Sequence, residues 1–446
     1  MSRLLAAAAA VAMVPMAGTA GAQVSTPAAP RVGSPVTPGR VGPPAPPPSA
    51  NLPLLVPRTG PLPSSLTLAQ ALEEAEARSP AVVAARARVE AAAARIRQAG
   101  VRSNPELSVD VENFLGTGDL AGLKATETTV AINQRLDLGG RRRARVTAAQ
   151  AELAAEQVRL GIARADLAQS VREQFARAAV TRDRLRLAEE NEARARELAR
   201  IAQILVDNGR EPPLRALRAR SAATQAGAEL EAARAEERSS RSTLASLFGV
   251  TDPVQALSGD LIDLAPRQVN PDHSLEVRLA EAERIAAEAA LAQEQASSRF
   301  DPAVGLGVRH VREAGAVALV GGLSLPLPVF DRNRGNIEAA RASIRAAEAN
   351  LANVRASVRV RGANAVTNVQ SAAIRVEALQ RSAIPEAAEA LRLSRLAYVE
   401  GRASLLELLD AQAAYREAQS ALIDARLAQA LATAELGRVA AQQDPQ

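Results

Sequence analysis

The chain is 446 residues long, 47% hydrophobic and 23% charged, with 2% aromatic residues and neither cysteine nor tryptophan. The lack of cysteine excludes a disulfide framework, a thiolate metal site, a cysteine nucleophile and a lipid anchor on cysteine; the dearth of bulky core-fillers argues against an ordinary mixed α/β enzyme and for long helices packed through small residues. The net charge of +5 does not make a nucleic-acid binder, because Lys124 is the only lysine, arginines alternate with glutamates, and neither stacking aromatics nor a basic cluster beyond Arg141, Arg142, Arg143 and Arg145 is present.

Residues 1–22 open with Arg3, run apolar from Leu4 to Ala17 and end Ala20-Gly21-Ala22. This is the pattern of a secretory signal cleaved before Gln23, and the apolar run is too short for a spanning helix. Residues 23–64 hold half of the 26 prolines, which excludes helix and inner strand and predicts an extended or disordered tether. Beyond it the sequence divides into a first repeat at 65–250, a linker at 251–272, a second repeat at 273–440 and a tail at 441–446. The first repeat opens with Ser65-Leu66-Thr67-Leu68, leading into an Ala/Glu/Arg helix to about Ala99.

A pair of alternating segments follows in each repeat. Leu107, Val109 and Val111 alternate with Ser108, Asp110 and Glu112, and Val130, Ile132, Leu136 and Leu138 alternate with polar or small residues. In the second repeat Val304, Leu306 and Val308 alternate with Gly305, Gly307 and Arg309, while Val317, Leu319, Leu323, Leu325, Leu327 and Val329 share one face of a fourth strand. Strands of about 10 residues, apolar on one side and polar or glycine on the other, fit the wall of a transmembrane β-barrel. Four strands cannot close around a lumen, and an open edge cannot sit in lipid, so several chains must contribute. Three copies give twelve strands, although strand number alone permits other even totals.

Each strand pair leads into a helix of about 65 residues, from Arg141 to Asp207 and from Arg334 to Glu400. At 1.5 Å per residue this is on the order of 100 Å, longer than a compact domain. Pro385 is expected to kink or break the second helix a turn or two before its tip. The two helices are copies: Val146, Leu153, Leu160 and Leu167 recur as Ile337, Ile344, Leu351 and Val358, at strict heptad spacing and a constant offset of 191. Alanines three residues on, Ala149 and Ala163 in one copy and Ala340 and Ala347 in the other, suggest close coiled-coil-like packing. Asn208-Gly209-Arg210 corresponds to Glu400-Gly401-Arg402, and Asn104-Pro105 to Asp301-Pro302, with offsets of 192 and 197. Gly209 and Gly401 are expected to take positive φ and reverse the chain into a returning helix.

Two stretches of this sequence resemble the TolC-type outer-membrane efflux family. Leu325-Pro326-Leu327-Pro328-Val329-Phe330-Asp331-Arg332-Asn333-Arg334-Gly335-Asn336 is similar to its strand-to-helix junction, and Tyr398-Val399-Glu400-Gly401-Arg402-Ala403-Ser404-Leu405-Leu406-Glu407-Leu408-Leu409-Asp410-Ala411 to its periplasmic tip. Asn104-Pro105-Glu106-Leu107, Val111-Glu112-Asn113-Phe114 and Gln134-Arg135-Leu136-Asp137-Leu138-Gly139-Gly140 resemble its cobalt-zinc-cadmium resistance branch. The resemblance implies a mainly α chain of two tandem repeats of helical hairpins with four strands. It also implies a homotrimer, with a 12-stranded barrel in outer-membrane lipid above a periplasmic α-barrel. Its implied partners are a periplasmic adaptor and an inner-membrane pump of the resistance-nodulation-division type; the chain itself is a passive, non-enzymatic conduit without cofactor.

By the same resemblance, Glu407 and Asp410 line the narrow periplasmic mouth, where a threefold ring of like charges favours cations; a solvated helix face is the plainer role for an i, i+3 acidic pair. Tyr398 matches a position that hydrogen-bonds across helices in the closed state, alongside Gly401, Arg402 and Gly209 at the tip turns; a packing aromatic at a helix end is its plainer role, and the two are not exclusive. Arg215 departs from the pattern, standing where some relatives carry an acid, after the unusual Glu211-Pro212-Pro213; pairing with Glu407 or Asp410 is one expectation for it. Phe114 and Phe330 lie at strand ends, as girdle or packing residues. His273 and His310 are far apart and no cluster has metal-ligand spacing, nor is there a phosphate loop or nucleophile elbow. For cargo, drug efflux and type I protein secretion remain beside metal cations. A periplasmic adaptor would show one hairpin rather than two, and a purely structural coiled coil would leave the strands unexplained.

Overall fold

Alanine, leucine, arginine and glutamate are strong helix formers, and helices dominate the computed structural model, which describes residues 60–259 and 270–441. The expected signal peptide at 1–22 and residues 23–59 of the expected tether lie outside the described residues. In chain order the elements are β1 (Ser65–Leu66), α1 (Leu68–Arg78), α2 (Pro80–Ala99), β2 (Glu106–Glu112), β3 (Glu127–Arg135), α3 (Arg141–Asp207), α4 (Pro213–Ser246) and β4 (Ala256–Leu257). They continue with α5 (Leu275–Ser297), β5 (Ala303–Val311), β6 (Ala316–Ser324), α6 (Arg334–Ala378), α7 (Ile384–Val399) and α8 (Leu405–Val439).

The two repeats run through a similar order of elements, though α1 and α2 stand where the second has α5, and α3 where it has α6 and α7. Helix α3, at 67 residues and about 100 Å, packs along α2, α4, α5 and α8, and its counterpart α6 packs along α5 and α8. Heptad positions Leu351 and Val358 are buried against Val277 and Ala280 of α5. Buried alanines such as Ala71, Ala75 and Ala178 surround Phe175, Leu66, Leu244 and Phe248 in the largest core, so backbones approach closely with little side-chain volume between them. Polar faces carry arginine–glutamate pairs one turn apart, including Arg194 with Glu190 at 2.6 Å, Arg200 with Glu197 at 2.6 Å and Arg392 with Glu389 at 2.7 Å. Between helices, Arg159 reaches Glu283 of α5 at 2.9 Å, and Arg184 reaches Asp424 of α8 at 2.8 Å and Glu236 of α4 at 3.1 Å.

Several expectations are corrected. The opening helix is two helices, because Ser79, held extended before Pro80 with ψ 119°, ends α1 and starts α2. Residues 60–64 are fixed rather than part of a loose tether: the Arg78 guanidinium donates to the Gly60 carbonyl at 2.7 Å and Leu62 packs on the core. A two-residue parallel ladder also pairs β1 with β4, Ser65 opposite Ala256 and Leu66 opposite Leu257, within what was expected to be plain linker. Strand β6 stops at Ser324 and β3 at Arg135, so Leu325, Leu327, Val329, Leu136 and Leu138 continue the alternation beyond the ladder. Pro385 does not break its helix a turn or two before the tip. A π-helical segment, Leu379–Ala383, leads into α7, whose 16 residues place the proline about four turns from Gly401.

Candidate functional site

Two regions gather the residues that sequence alone singles out: the sheet at one end of the long helices and the hairpin turns at the other. Strands β2, β3, β5 and β6 form one antiparallel sheet in that order. Its register stacks the apolar residues in rows across the strands: Val109, Val130, Val308 and Leu319 in one, and Leu107, Ile132 and Leu306 in the next. Among the described residues little covers these side chains; Leu107, Val109, Ile132, Leu306, Leu319 and Leu323 are each more than half exposed. A contiguous bare apolar face of this kind marks a membrane or protein contact.

The opposite face is polar and crowded. Asp110, Thr129 and Arg309 share a row, and Arg309 donates from Nε to Thr129 Oγ1 at 3.0 Å and from Nη1 to Glu127 at 3.0 Å, with Glu112 at 3.3 Å. A Cβ on Gly307 would lie 2.6 Å from both the Ala131 Cβ and the Val130 carbonyl oxygen. Glycine at this position therefore allows β3 and β5 to approach closely on this face. The outer edges of β2 and β6 have no strand partner among the described residues. Phe114 follows β2 at the hairpin end of the sheet, and Phe330, fully exposed, follows β6 at the helix end. The two aromatics therefore sit at opposite rims.

The sheet is locked to the helices by Arg141, the first residue of α3. Its guanidinium donates to the carbonyls of Ala296 at 3.3 Å, Ser297 at 2.8 Å and Arg299 at the end of α5, and lies 3.7 Å from Asp301. This supplies positive charge where the α5 dipole ends negative. Sequence reasoning saw Arg141 only as one of a basic group, and Arg309 only as a charge on an alternating strand. The paired glycines beside Arg309 were the available signal for a crowded interior face.

At the far end, Gly209 (φ 67°) and Gly401 (φ 75°) close the two hairpins as expected. Around Gly401 the Arg402 N–H donates to the Ala397 carbonyl at 2.8 Å and the Gly401 N–H to Tyr398 at 3.0 Å; Arg210 with Leu205 and Gly209 with Val206 repeat this at 2.9 Å each. Both are Schellman turns, in which the left-handed residue lets two late amides satisfy orphan helix carbonyls. Glu407 and Asp410 are exposed one turn apart on α8, opposite buried Leu405 and Leu408. Glu407 has a second duty: its carboxylate accepts from the Ser404 N–H at 2.8 Å while Ser404 Oγ accepts from the Glu407 N–H at 3.3 Å, a capping box at the start of α8.

Tyr398 is 6% exposed in a small core with Leu198, Leu405 and Leu408, and its hydroxyl has no hydrogen-bond partner among the described residues. Burial, reinforced by the Glu211 charge and opposed by Arg215, lifts its phenol above the usual value. Arg215 pairs with Glu211 rather than with Glu407 or Asp410, because Glu211 sits one turn back on the same hairpin arm. Arg402 pairs with its neighbour Glu400 at the exposed turn. Above the tip, a cavity of about 590 Å³ lies between α3, α7 and α8, lined by Ile201, Leu391, Tyr398, Leu408 and Tyr415 among others. Among the described residues no cluster of acidic and histidine side chains is placed to hold a metal ion, and no helix is long and apolar enough to cross a membrane.

The chain matches the family model described as outer membrane efflux protein over residues 71–250 and 272–442, leaving out the stretch between the repeats. It is 33% identical to the nickel-cobalt-cadmium resistance protein NccC of Alcaligenes xylosoxydans xylosoxydans over 304 residues, 67% of this chain and 69% of that protein. It is 30% identical to the cobalt-zinc-cadmium resistance protein CzcC of Cupriavidus metallidurans over 356 residues, 78% of this chain and 83% of that protein. Its fold superposes on the outer membrane protein VceC of Vibrio cholerae with a TM-score of 0.72, at 24% identity, over 84% of this chain and 96% of the other.

Proposed function

Because the chain belongs to the outer membrane efflux protein family, we propose that three copies pool their sheets into one twelve-stranded barrel in the outer membrane. Their helices then line a tunnel through the periplasm. The protein is the outer-membrane channel of a tripartite efflux system, and cargo passes through it without chemistry. The observation that carries this reading is the four-stranded sheet, whose apolar face is bare and whose two edges are open. Neither feature is tolerable in an isolated chain in water or in lipid. Both are satisfied when the ribbon joins others in a ring, apolar side to lipid and the Arg309 side to the lumen.

The cargo in this reading is heavy-metal cations. The similarity to proteins named for nickel, cobalt, zinc and cadmium resistance supports it, and so do the exposed carboxylates Glu407 and Asp410, which in a threefold ring at the mouth would concentrate cations. The partners are a periplasmic adaptor and a proton-driven pump of the resistance-nodulation-division type. The cavity beside Tyr398 and the exposed Leu393, Leu396 and Val399 on α7 offer the apolar anchor points a helical hairpin partner requires.

Two measurements test the reading. Detergent-purified protein is expected to have the mass of three chains and to give discrete cation-preferring conductance in planar bilayers; a stable monomer without conductance would sink the channel. A deletion strain is expected to lose tolerance to cobalt, zinc or cadmium while keeping its resistance to organic toxins. Equal sensitisation to both would remove metals as the particular cargo.

A further inference from the structure

The internal repeat fixes how one copy must meet the next, down to the residue. The Asn104-Pro105 and Asp301-Pro302 corners align β2 with β5 at an offset of 197, making Leu107 equivalent to Val304 and Ser108 to Gly305. Within the hairpins, Leu107 lies opposite Ile132 and Val304 opposite Leu323. Ile132 is therefore equivalent to Leu323, an offset of 191. The heptads of the long helices give the same offset independently, Val146 to Ile337.

The junction between the repeats inside one chain is the β3 to β5 ladder, with Ile132 opposite Leu306, Asn133 opposite Gly305 and Ala131 opposite Gly307. In a ring of such repeats the same junction recurs between β6 of one copy and β2 of the next. Resting on the reading of the chain as a ring-forming channel, we infer that the subunits join with Ser324 of one copy opposite Ser108 of its neighbour. Leu323 then meets Val109, Leu325 meets Leu107, and Gly322 meets Asp110.

Three features of the single chain agree with this register. It keeps Leu107, Val109 and Leu323 together on the lipid face and Ser108, Asp110 and Ser324 together on the lumen face, where a slip of one residue would invert both. It also gives Leu325 a partner, and so explains why the apolar alternation outlasts the ladder that β6 makes within its own chain. In the internal junction the Leu136 N–H donates to the Pro302 carbonyl at 3.0 Å and the Arg312 N–H to the Thr126 carbonyl at 3.1 Å, so even-numbered β3 residues point their amides at β5. Shifted by 191, the donors are the odd-numbered residues of β6 and its extension. Pro326, which has no N–H, falls at a position that needs none.

The helical ends show the same incompleteness. Arg141 of the first repeat caps α5 of the second, whereas Arg332 and Arg334 at the equivalent corner are exposed and their side chains have no hydrogen bond or ion pair among the described residues. The symmetry that sets the strand register brings them over the end of α2 on the next copy.

The absence of native cysteine makes the test clean. Ser108 and Ser324 would form a pair without mutual backbone hydrogen bonds, with Cα atoms about 4.5 Å apart, inside the range a disulfide spans. The full-length S108C/S324C protein, oxidised in membranes, is expected to run largely as covalent trimer on denaturing gels, and each single variant as monomer. The control S108C/G322C, two residues out of register, is expected to link at least tenfold less; a Cβ at Gly322 meets nothing. A protein that is trimeric by native mass but links through the control pair, or through neither, would overturn the register and leave the channel standing. A monomeric native mass would overturn the channel reading and the register with it.

Discussion

Glu407 illustrates how one side chain can serve two masters, and how the two are separated. Its carboxylate caps α8 through Ser404, a role glutamine can also fill, whereas its charge is what the proposed mouth uses. E407Q/D410N is expected to lower the cation-to-anion permeability ratio in bilayers while leaving the melting temperature unchanged; E407A is expected to destabilise the start of α8 by about 0.5–1 kcal/mol as well. Unchanged permeability in E407Q/D410N would take both residues away from the mouth. Gly209 and Gly401 were legible beforehand because a helix reversal with positive φ all but demands glycine. The pairing of Arg215 was not legible, because Glu211 on its own arm competes with any acid across the hairpin. Nor was the solitary hydroxyl of Tyr398, since sequence shows that a tyrosine lies at the tip but not which way its ring packs.

Among the elements, strands were legible by period and helices by heptad, but their ends were set by events the pattern does not encode. Pro80 and Pro385 make the point. Ser79 before Pro80 swings to ψ 119° and splits one helix into two, whereas Ile384 before Pro385 stays helical at φ −67° and ψ −52°, and the preceding turn widens to π geometry to absorb the ring. The strand faces make a firmer forecast. Leu323 is 71% exposed on the apolar face, where a charge facing lipid is destabilising in a depth-dependent way. L323D is expected to abolish the detergent-stable trimer, and L323I to retain it. If L323D assembles like the unaltered protein, the face assigned to lipid is the wrong one.

For the whole molecule, the duplication was readable because heptads and corners keep constant offsets over almost two hundred residues. The small ladder between β1 and β4 was invisible, since two-residue strands carry no period. It nonetheless ties the start of the folded chain to the connection between the repeats. The arginine–glutamate pairs along the helices have a different reach: they tilt stability away from acid, modestly because they are exposed. Hydrogen bonds from Arg200 and Arg392 hold Glu197 and Glu389 below the ordinary carboxyl value of 4.5, and those arginines are held above theirs. A lowered carboxyl value gives stability that is present above pH 4.5 and fades as pH falls through the lowered value; a raised guanidinium value is fully satisfied at any lower pH. The melting temperature is therefore expected to fall modestly once acid protonates these carboxylates and to stay level into alkaline buffer. With Lys124 as the single lysine, there is no ammonium ladder to discharge near pH 10, so a conduit built this way would keep its scaffold in strongly basic surroundings and would yield first to acid.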